Sequence, residues 1–198
     1  MTELSASKRE EREKTFWALF IMDKLMSLLL GTPCALPSHD INVPIPTLRL
    51  ENPLYGHFVA RIQMARIQEQ IYSSLYSTQA KEKSRVERQS TIAQLKEDLQ
   101  RWHTEHLQNL PLHMSGSWAG KAFINVELMH SYYTSKILIL RRCSDPGSKA
   151  KCLEAARASI RFMQQSRKAK LSVGGFMVLR RYDSSTSPTF SLHYSIRY

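Results

Sequence analysis

The sequence predicts an all-α protein: an irregular multi-helix bundle with a long Pro-rich connecting strap and a poorly structured C-terminal tail. Apolar residues recur at spacings of three and four along most of the chain, and no segment alternates apolar and polar residues over a comparable length. Gly and Pro interrupt the periodic stretches at a few places, where we expect helices to end. The chain of 198 residues is long enough to form one hydrophobic core.

The first predicted helix begins in a charged run, residues 8–14, and continues to Leu30. It is apolar on nearly every side, so we predict that it is the central helix and contacts several neighbours at once. Its apolar part, residues 16–30, is 15 residues long and contains Asp23 and Lys24, whereas a membrane span needs roughly 20 apolar residues. We therefore expect a buried helix of a soluble protein and no membrane partner.

Asp23 and Lys24 lie within this apolar helix. A functional interpretation would make Asp23 a catalytic or ligand-binding carboxylate. Buried charges are costly unless they are paired, so we favour a structural ion pair to another helix or to a capped loop.

The strap is predicted from Gly31 and from the prolines that follow it. Gly31 stands where a left-handed residue usually ends a helix, and Pro33 lacks the backbone donor that would continue one. Residues 34–54 contain four further prolines, which favour an extended and irregular connection. We expect apolar residues at alternating positions to anchor this strap: Ile41, Val43, Ile45 and Leu48.

Four more helices are predicted after the strap. They cover about residues 55–79, a stretch from Ser90 or Thr91 to Pro111, about residues 123–142 and about residues 149–165. The charged residues 80–89 are interpreted as a solvated turn or a helix extension, and residues 113–120 as a loop. Asp145, Pro146 and Gly147 predict a turn. After Leu171 no helical period is present, which predicts turns.

The net charge of +11 is concentrated near the C-terminus. From residue 141 onward the chain has 12 Lys and Arg against 3 Asp and Glu. We interpret this excess as a solvated helix face that continues into the tail. Nonspecific binding of nucleic acid through the basic tail stays open as an alternative.

No motif of the sequence indicates catalysis or metal binding. His103 and His106 have a helical spacing, but no HExxH motif or Cys accompanies them, and residues 116–120 carry Trp118 where a GxSxG nucleophile would lie. We predict that the chain is not an enzyme and holds no cofactor. The alternative is a small helical ligand-binding protein or enzyme that uses a pocket beside the central helix.

Residues 15–46 form the most specific motif of the chain. They combine a helix of the form FWxLFxxDK with an LGTP stop and an acidic DINVPIP loop. This segment resembles the signature of the fungal-specific transcription factor domain, the middle homology region of fungal zinc-cluster regulators. Lys24 and Thr32 stand where the family usually has Arg. A weaker similarity extends over about residues 10–170.

The resemblance implies a set of signature residues with a structural role: Phe16, Trp17, Asp23, Lys24, Gly31, Pro33, Asp40, Val43, Pro44 and Pro46. It also implies two regions, a partial regulatory domain over residues 1–170 and an irregular tail over residues 171–198 that is not native to the family. The tail suggests the hypothesis of a truncated gene product. We assign no catalytic, metal-binding or DNA-binding residue.

For function, the resemblance implies a regulatory and interaction module of a nuclear transcription factor. Family members contact DNA through an N-terminal cluster of six cysteines and zinc, and the three cysteines of this chain cannot form it. DNA binding would therefore depend on that absent cluster. The expected partners are the transcription machinery or co-regulators, together with dimerisation with related factors.

Overall fold

The computed structural model describes residues 6–45, 53–107 and 119–168. Its α-helices are α1 (Ala6–Leu30), α2 (Pro53–Ile71), α3 (Thr78–Glu82), α4 (Arg85–His106), α5 (Ala119–Leu140) and α6 (Pro146–Lys168). A short 3-10 helix covers Ser38–Asp40, and a π-helical turn covers Tyr72–Tyr76. These three ranges contain no strand, so the predicted all-α class is confirmed. The predicted tail, residues 171–198, lies outside them, as do residues 46–52 of the strap.

The central helix is α2. It packs against α1, α4 and α5, whereas α1 packs principally on α2. The prediction that α1 is central was therefore wrong, and four of its apolar side chains are exposed: Leu19, Met26, Leu29 and Leu30. A helix that is apolar on all sides can be buried by neighbouring helices on all sides. The composition does not show which of these neighbours the fold supplies.

Two hydrophobic clusters meet along α2. The larger lies between α2, α4 and α5 and includes Trp102, whose indole Nε1 donates a hydrogen bond to the carbonyl oxygen of Ala60 at 2.9 Å. The smaller joins α1 and α2 around Trp17, Phe20 and Ile62, all fully buried, and the strap packs against it. The strap is thus part of the packed structure.

The connection from α2 to α4 differs from the predicted single helix over residues 55–79. The chain forms the π turn after Ile71, and Ser77 then caps the short helix α3 by accepting a hydrogen bond from the amide of Ala80 at 3.1 Å. A π turn adds one residue to a helical turn and shifts the positions that follow. Apolar spacing alone does not reveal this insertion.

Helix α4 begins earlier than predicted, because Ser84 forms a capping box with Glu87. The Glu87 amide donates to Ser84 Oγ at 3.2 Å, and the Ser84 amide donates to Glu87 Oε2 at 2.8 Å. The predicted cap at Ser90 or Thr91 is wrong. Thr91 instead lies inside the helix and donates to the carbonyl oxygen of Glu87. The charged residues 85–89 are the solvated first turns of α4.

Replacing Ser84 with alanine is expected to lower the free energy of unfolding by about 1 kcal/mol, because the capping box loses its hydroxyl acceptor. Chemical denaturation of the full chain measures the change. The matched control is Ser90→Ala, since Ser90 is exposed within α4 and alanine is the better helix former. Equal destabilisation by both substitutions would contradict the assigned cap.

Helix α6 also begins earlier than predicted. Pro146 is its first residue, and a proline there costs no hydrogen bond because the first turn of a helix has no acceptor for its amides. Ser148 donates a hydrogen bond from its hydroxyl to Asp145 Oδ1 at 2.6 Å. The Asp-Pro-Gly sequence that predicted a turn therefore starts a helix. None of the described helices is both long and apolar enough to cross a membrane.

Candidate functional site

The strap reverses direction directly after α1. Gly31 has φ = 69°, a left-handed conformation in which a side chain would be strained, and the amide of Thr32 donates to the carbonyl oxygen of Ser27 at 3.1 Å. The predicted end of the first helix at Gly31 is confirmed. The reversal returns residues 35 and 36 to the side of α1 that carries Asp23 and Lys24.

Asp23 and Lys24 bind the backbone of the returning strap. Asp23 accepts hydrogen bonds from the amides of Ala35 at 2.9 Å and Leu36 at 3.0 Å. Lys24 donates from its fully buried Nζ to the carbonyl oxygen of Leu36. The two side chains also contact each other, with 3.2 Å between Lys24 Nζ and Asp23 Oδ2.

Glu69 completes this polar cluster from α2. Its Oε1 lies 3.5 Å from Lys24 Nζ and accepts the amide of Ser38 at 3.0 Å, and its Oε2 accepts the Ser38 hydroxyl. We call Asp23, Lys24 and Glu69 the strap clamp. Glu69 was not predicted, because its only sequence signal is the general need of a buried lysine for an acidic partner.

The pKa of Asp23 lies below its usual value of 3.8. Burial by itself would raise this pKa, but the amides of Ala35 and Leu36 and the neighbouring Lys24 outweigh burial, since all of them stabilise the carboxylate. A lowered pKa in the folded state means that Asp23 contributes its full stabilisation above about pH 3.8. That contribution is lost as the pH falls through the folded pKa.

The other signature residues divide between buried and exposed positions. Trp17 donates from Nε1 to the carbonyl oxygen of Pro44 at 2.8 Å, and Phe16 packs edge-on against the Trp17 ring. Val43 packs on the smaller hydrophobic cluster together with Ile41 and Ile45. The remaining members are an exposed Pro33, an exposed Asp40 whose carboxylate is 3.6 Å from His39, and Pro46, which lies outside the described residues.

A second buried polar cluster joins α2 to α5. Arg61 forms an ion pair with Glu127 at 2.8 Å, and His57 Nε2 lies 3.6 Å from Glu127 Oε2. Burial, together with the charge of Arg61, lowers the pKa of His57 from 6.5 to about 3, so its imidazole is neutral at physiological pH. Burial also raises the pKa of Glu127, against the attraction of Arg61. No motif of the sequence indicated this cluster.

The two histidines of α4 point to different neighbours. The His103 ring packs against the Tyr132 ring of α5, with 4.5 Å between centroids, while His106 contacts Gln63 of α2. They do not converge as a metal site would require. Within residues 6–45, 53–107 and 119–168, no group of three potential ligands is placed to hold a metal ion.

A cleft of about 200 Å³ opens between α4, α5 and α6. Its lining consists of Lys96, Leu99, Gln100, Tyr132, Lys136, Ile139, Leu140 and Lys151. The alternative hypothesis placed a pocket beside the first helix and the strap. This cleft lies instead on three other helices.

The fold and the strap clamp define an all-helical domain in which buried charges fix a returning loop against its first two helices. The chain belongs to the family described as the fungal specific transcription factor domain, whose model matches residues 2–104. The match includes the whole strap clamp and ends within α4. The predicted family is therefore confirmed.

Relatives of the chain carry names of the same kind. The transcription factor oryO of Aspergillus oryzae is 28% identical over 160 residues, which cover 80% of this chain and 20% of the relative. An uncharacterized transcriptional regulatory protein of Schizosaccharomyces pombe is 24% identical, over 82% of this chain and 29% of its own length. An ABC-transporter-regulating transcription factor of Aspergillus oryzae is 26% identical, and the match covers 78% of this chain and 22% of the relative.

The chain thus spans between a fifth and a third of the length of these relatives. No solved structure matches it significantly.

Proposed function

We propose that the chain is a regulatory and interaction module of a fungal transcription factor and that it acts in the nucleus. The observation that carries this proposal is the match of residues 2–104 to the transcription factor domain family. The relatives named as transcription factors support it over about four-fifths of the chain. The three cysteines cannot supply the six ligands of a zinc cluster, so this chain does not bind DNA in the way of that cluster.

The role of the signature residues in this proposal is structural. Trp17, Asp23 and Lys24 hold the strap on α1 through hydrogen bonds to its main chain, one of them to the carbonyl oxygen of Pro44. These contacts stabilise one arrangement of the helices, and an effector or a co-regulator binds to that arrangement. A ligand or partner changes the activity by binding one packing more tightly than another.

A reporter assay tests this function with the full chain fused to an unrelated DNA-binding domain in a fungal nucleus. We expect transcription of the reporter to change relative to the DNA-binding domain alone. The effect is expected to disappear with Asp23→Ala, which breaks the strap clamp, and to persist with Asp40→Ala, because Asp40 is exposed.

Immunoblotting and localisation of the fusion confirm that it is present in the nucleus. An intact nuclear fusion that leaves reporter transcription unchanged would refute the proposed function. Co-purification of co-regulators or related factors with the fusion would then identify the partners.

A further inference from the structure

We propose that the cleft between α4, α5 and α6 binds a small organic anion that has an apolar body, such as a medium-chain carboxylate. The cleft combines three lysines at its edge with an apolar floor. That the cleft binds such an anion is argued from the cleft alone. That the bound anion would regulate transcription rests on the proposed function above.

The lining residues are brought together by helical spacing. On α4, Lys96, Leu99 and Gln100 are three and four residues apart and so share one face. On α5, Tyr132, Lys136 and Ile139 follow the same rule. Helix α6 packs along α5 and contributes Lys151. The cleft is therefore fixed by regular elements of the bundle.

The floor and the edge of the cleft differ in chemistry. Leu99, Ile139 and Leu140 are almost fully buried, and they form an apolar floor with Tyr132. Lys136 is held at the edge, with its Nζ 3.4 Å from the Tyr132 hydroxyl and 5.4 Å from the centre of the Tyr132 ring. Lys96 and Lys151 are exposed. A ligand with a charged end and an apolar body matches both parts.

The lining carries three positive charges and no carboxylate. Asp145 is an acidic group close enough to interact with two of these lysines: its pKa is lowered first by the Ser148 hydroxyl and to a smaller extent by Lys96 and Lys151. Its carboxylate is already hydrogen bonded to Ser148 at the start of α6. One carboxylate leaves an excess of positive charge at the cleft. The pKa of His103 is lowered first by burial and to a smaller extent by the positive charge of Lys136. A bound anion would relieve this repulsion.

The size of the cleft limits the ligand. Its volume of about 200 Å³ is below the roughly 300 Å³ at the lower end of typical small-molecule pockets. Large cofactors and nucleotides are therefore poor candidates. A short acyl chain or a single aromatic ring on a carboxylate has a suitable size and lets the charged group reach the lysines at the edge.

Isothermal titration of the full chain with octanoate tests the proposal. Octanamide is the uncharged comparison, acetate lacks the apolar body, and inorganic phosphate and a short DNA duplex represent other anions. We expect octanoate to bind more tightly than all four. Methyl NMR is expected to show its largest shifts at Leu99, Ile139 and Leu140, which form the floor.

The variant K96Q/K136Q/K151Q is expected to lower the affinity for octanoate by about tenfold or more, because each exposed lysine contributes about two- to fivefold and Lys136 is better shielded from water. The matched control, K8Q/K81Q/K83Q, removes the same charge from outside the cleft and is expected to keep the affinity within about twofold. Thermal unfolding confirms that both variants are folded.

The proposal is overturned by no octanoate binding, by equal binding of octanamide, by equal binding of acetate or phosphate, or by equal loss in both triple variants. Tighter binding of the duplex through the same lysines would assign the cleft to nucleic acid instead. The reporter assay is independent of these results, since it measures transcription without added ligand. Failure of octanoate binding can therefore be distinguished from failure of the proposed function.

Discussion

Replacing Asp23 with alanine is expected to lower the free energy of unfolding by about 3 kcal/mol. The substitution leaves Lys24 fully buried with Glu69 as its remaining carboxylate partner, 3.5 Å away. It also removes the acceptor of two strap amides, those of Ala35 and Leu36. A buried lysine that loses one of its two carboxylate partners, together with a part-buried Leu36 amide that loses its acceptor, costs more than the loss of a surface ion pair. Equilibrium denaturation in urea at pH 7 measures the change.

Asp40→Ala is the matched control, because it removes the same side chain from the same sequence motif. The Asp40 side chain is 69% exposed, and its only ion-pair contact among the described residues is with the exposed His39, 3.6 Å away. We expect its effect to remain within about 0.5 kcal/mol. Similar losses for the two aspartates would show that the strap clamp does not stabilise the fold, and a small effect of Asp23→Ala alone would show the same.

Stability is expected to fall by about 2–3 kcal/mol between pH 6.5 and pH 4.5 through His57 alone. The pKa of His57 is 6.5 in the unfolded chain and about 3 in the folded protein, since burial and Arg61 oppose its protonation. Between these values the unfolded state binds a proton that the folded state does not. Acid therefore favours unfolding, and the contribution is complete above pH 6.5.

Glu127 acts in the opposite direction over part of the same range. Its pKa is raised in the folded protein, so the folded state takes up a proton before the unfolded state does and gains stability as the pH falls. The measurement must therefore compare His57→Gln with the unmodified chain, because Glu127 and Arg61 remain in both. The difference between the two isolates the contribution of His57.

We expect His57→Gln to have a flatter dependence of stability on pH, measured by denaturation at several values between pH 7 and pH 4.5. His39→Gln is the control, since the His39 side chain is 79% exposed and its substitution should leave the pH dependence unchanged. A His57→Gln curve parallel to that of the unmodified chain would contradict the assigned neutral state of His57. Refolding at pH 7 after each acid step verifies that the equilibrium is reversible.

The positions of most helices could be predicted from the sequence, since the apolar stripes of α4 and α5 repeat at helical spacing. Gly31 and Pro33 likewise indicated the end of α1. The central position of α2 could not be predicted, because it depends on which helices pack together in space. The start of α4 was missed because its apolar stripe begins only at Ile92, close to Ser90. The first turns, which Ser84 caps, are mostly polar and carry no apolar spacing.

The candidate site was predictable only in part. Two charges inside an apolar helix indicated that Asp23 and Lys24 need partners, but the sequence does not show that Glu69 of α2 supplies one of them. His57 and Glu127 were missed for the same reason, since they lie on helices that are distant in sequence. The lysines of the cleft come from three helices and share no sequence motif.

The strap clamp contacts main-chain atoms at residues 35 and 36, and this has a consequence for how the sequence can vary. At these two residues its hydrogen bonds end on the amides of Ala35 and Leu36 and on the Leu36 carbonyl oxygen, and every residue except proline presents both groups. At Ser38 the clamp also binds a side chain of the strap, the hydroxyl whose hydrogen bond Glu69 accepts. Ala35 is exposed, so its side chain is free of both the clamp and the core. The clamp therefore depends on the path of the loop and on its three charged residues, whereas any residue other than proline can supply the amide at position 35.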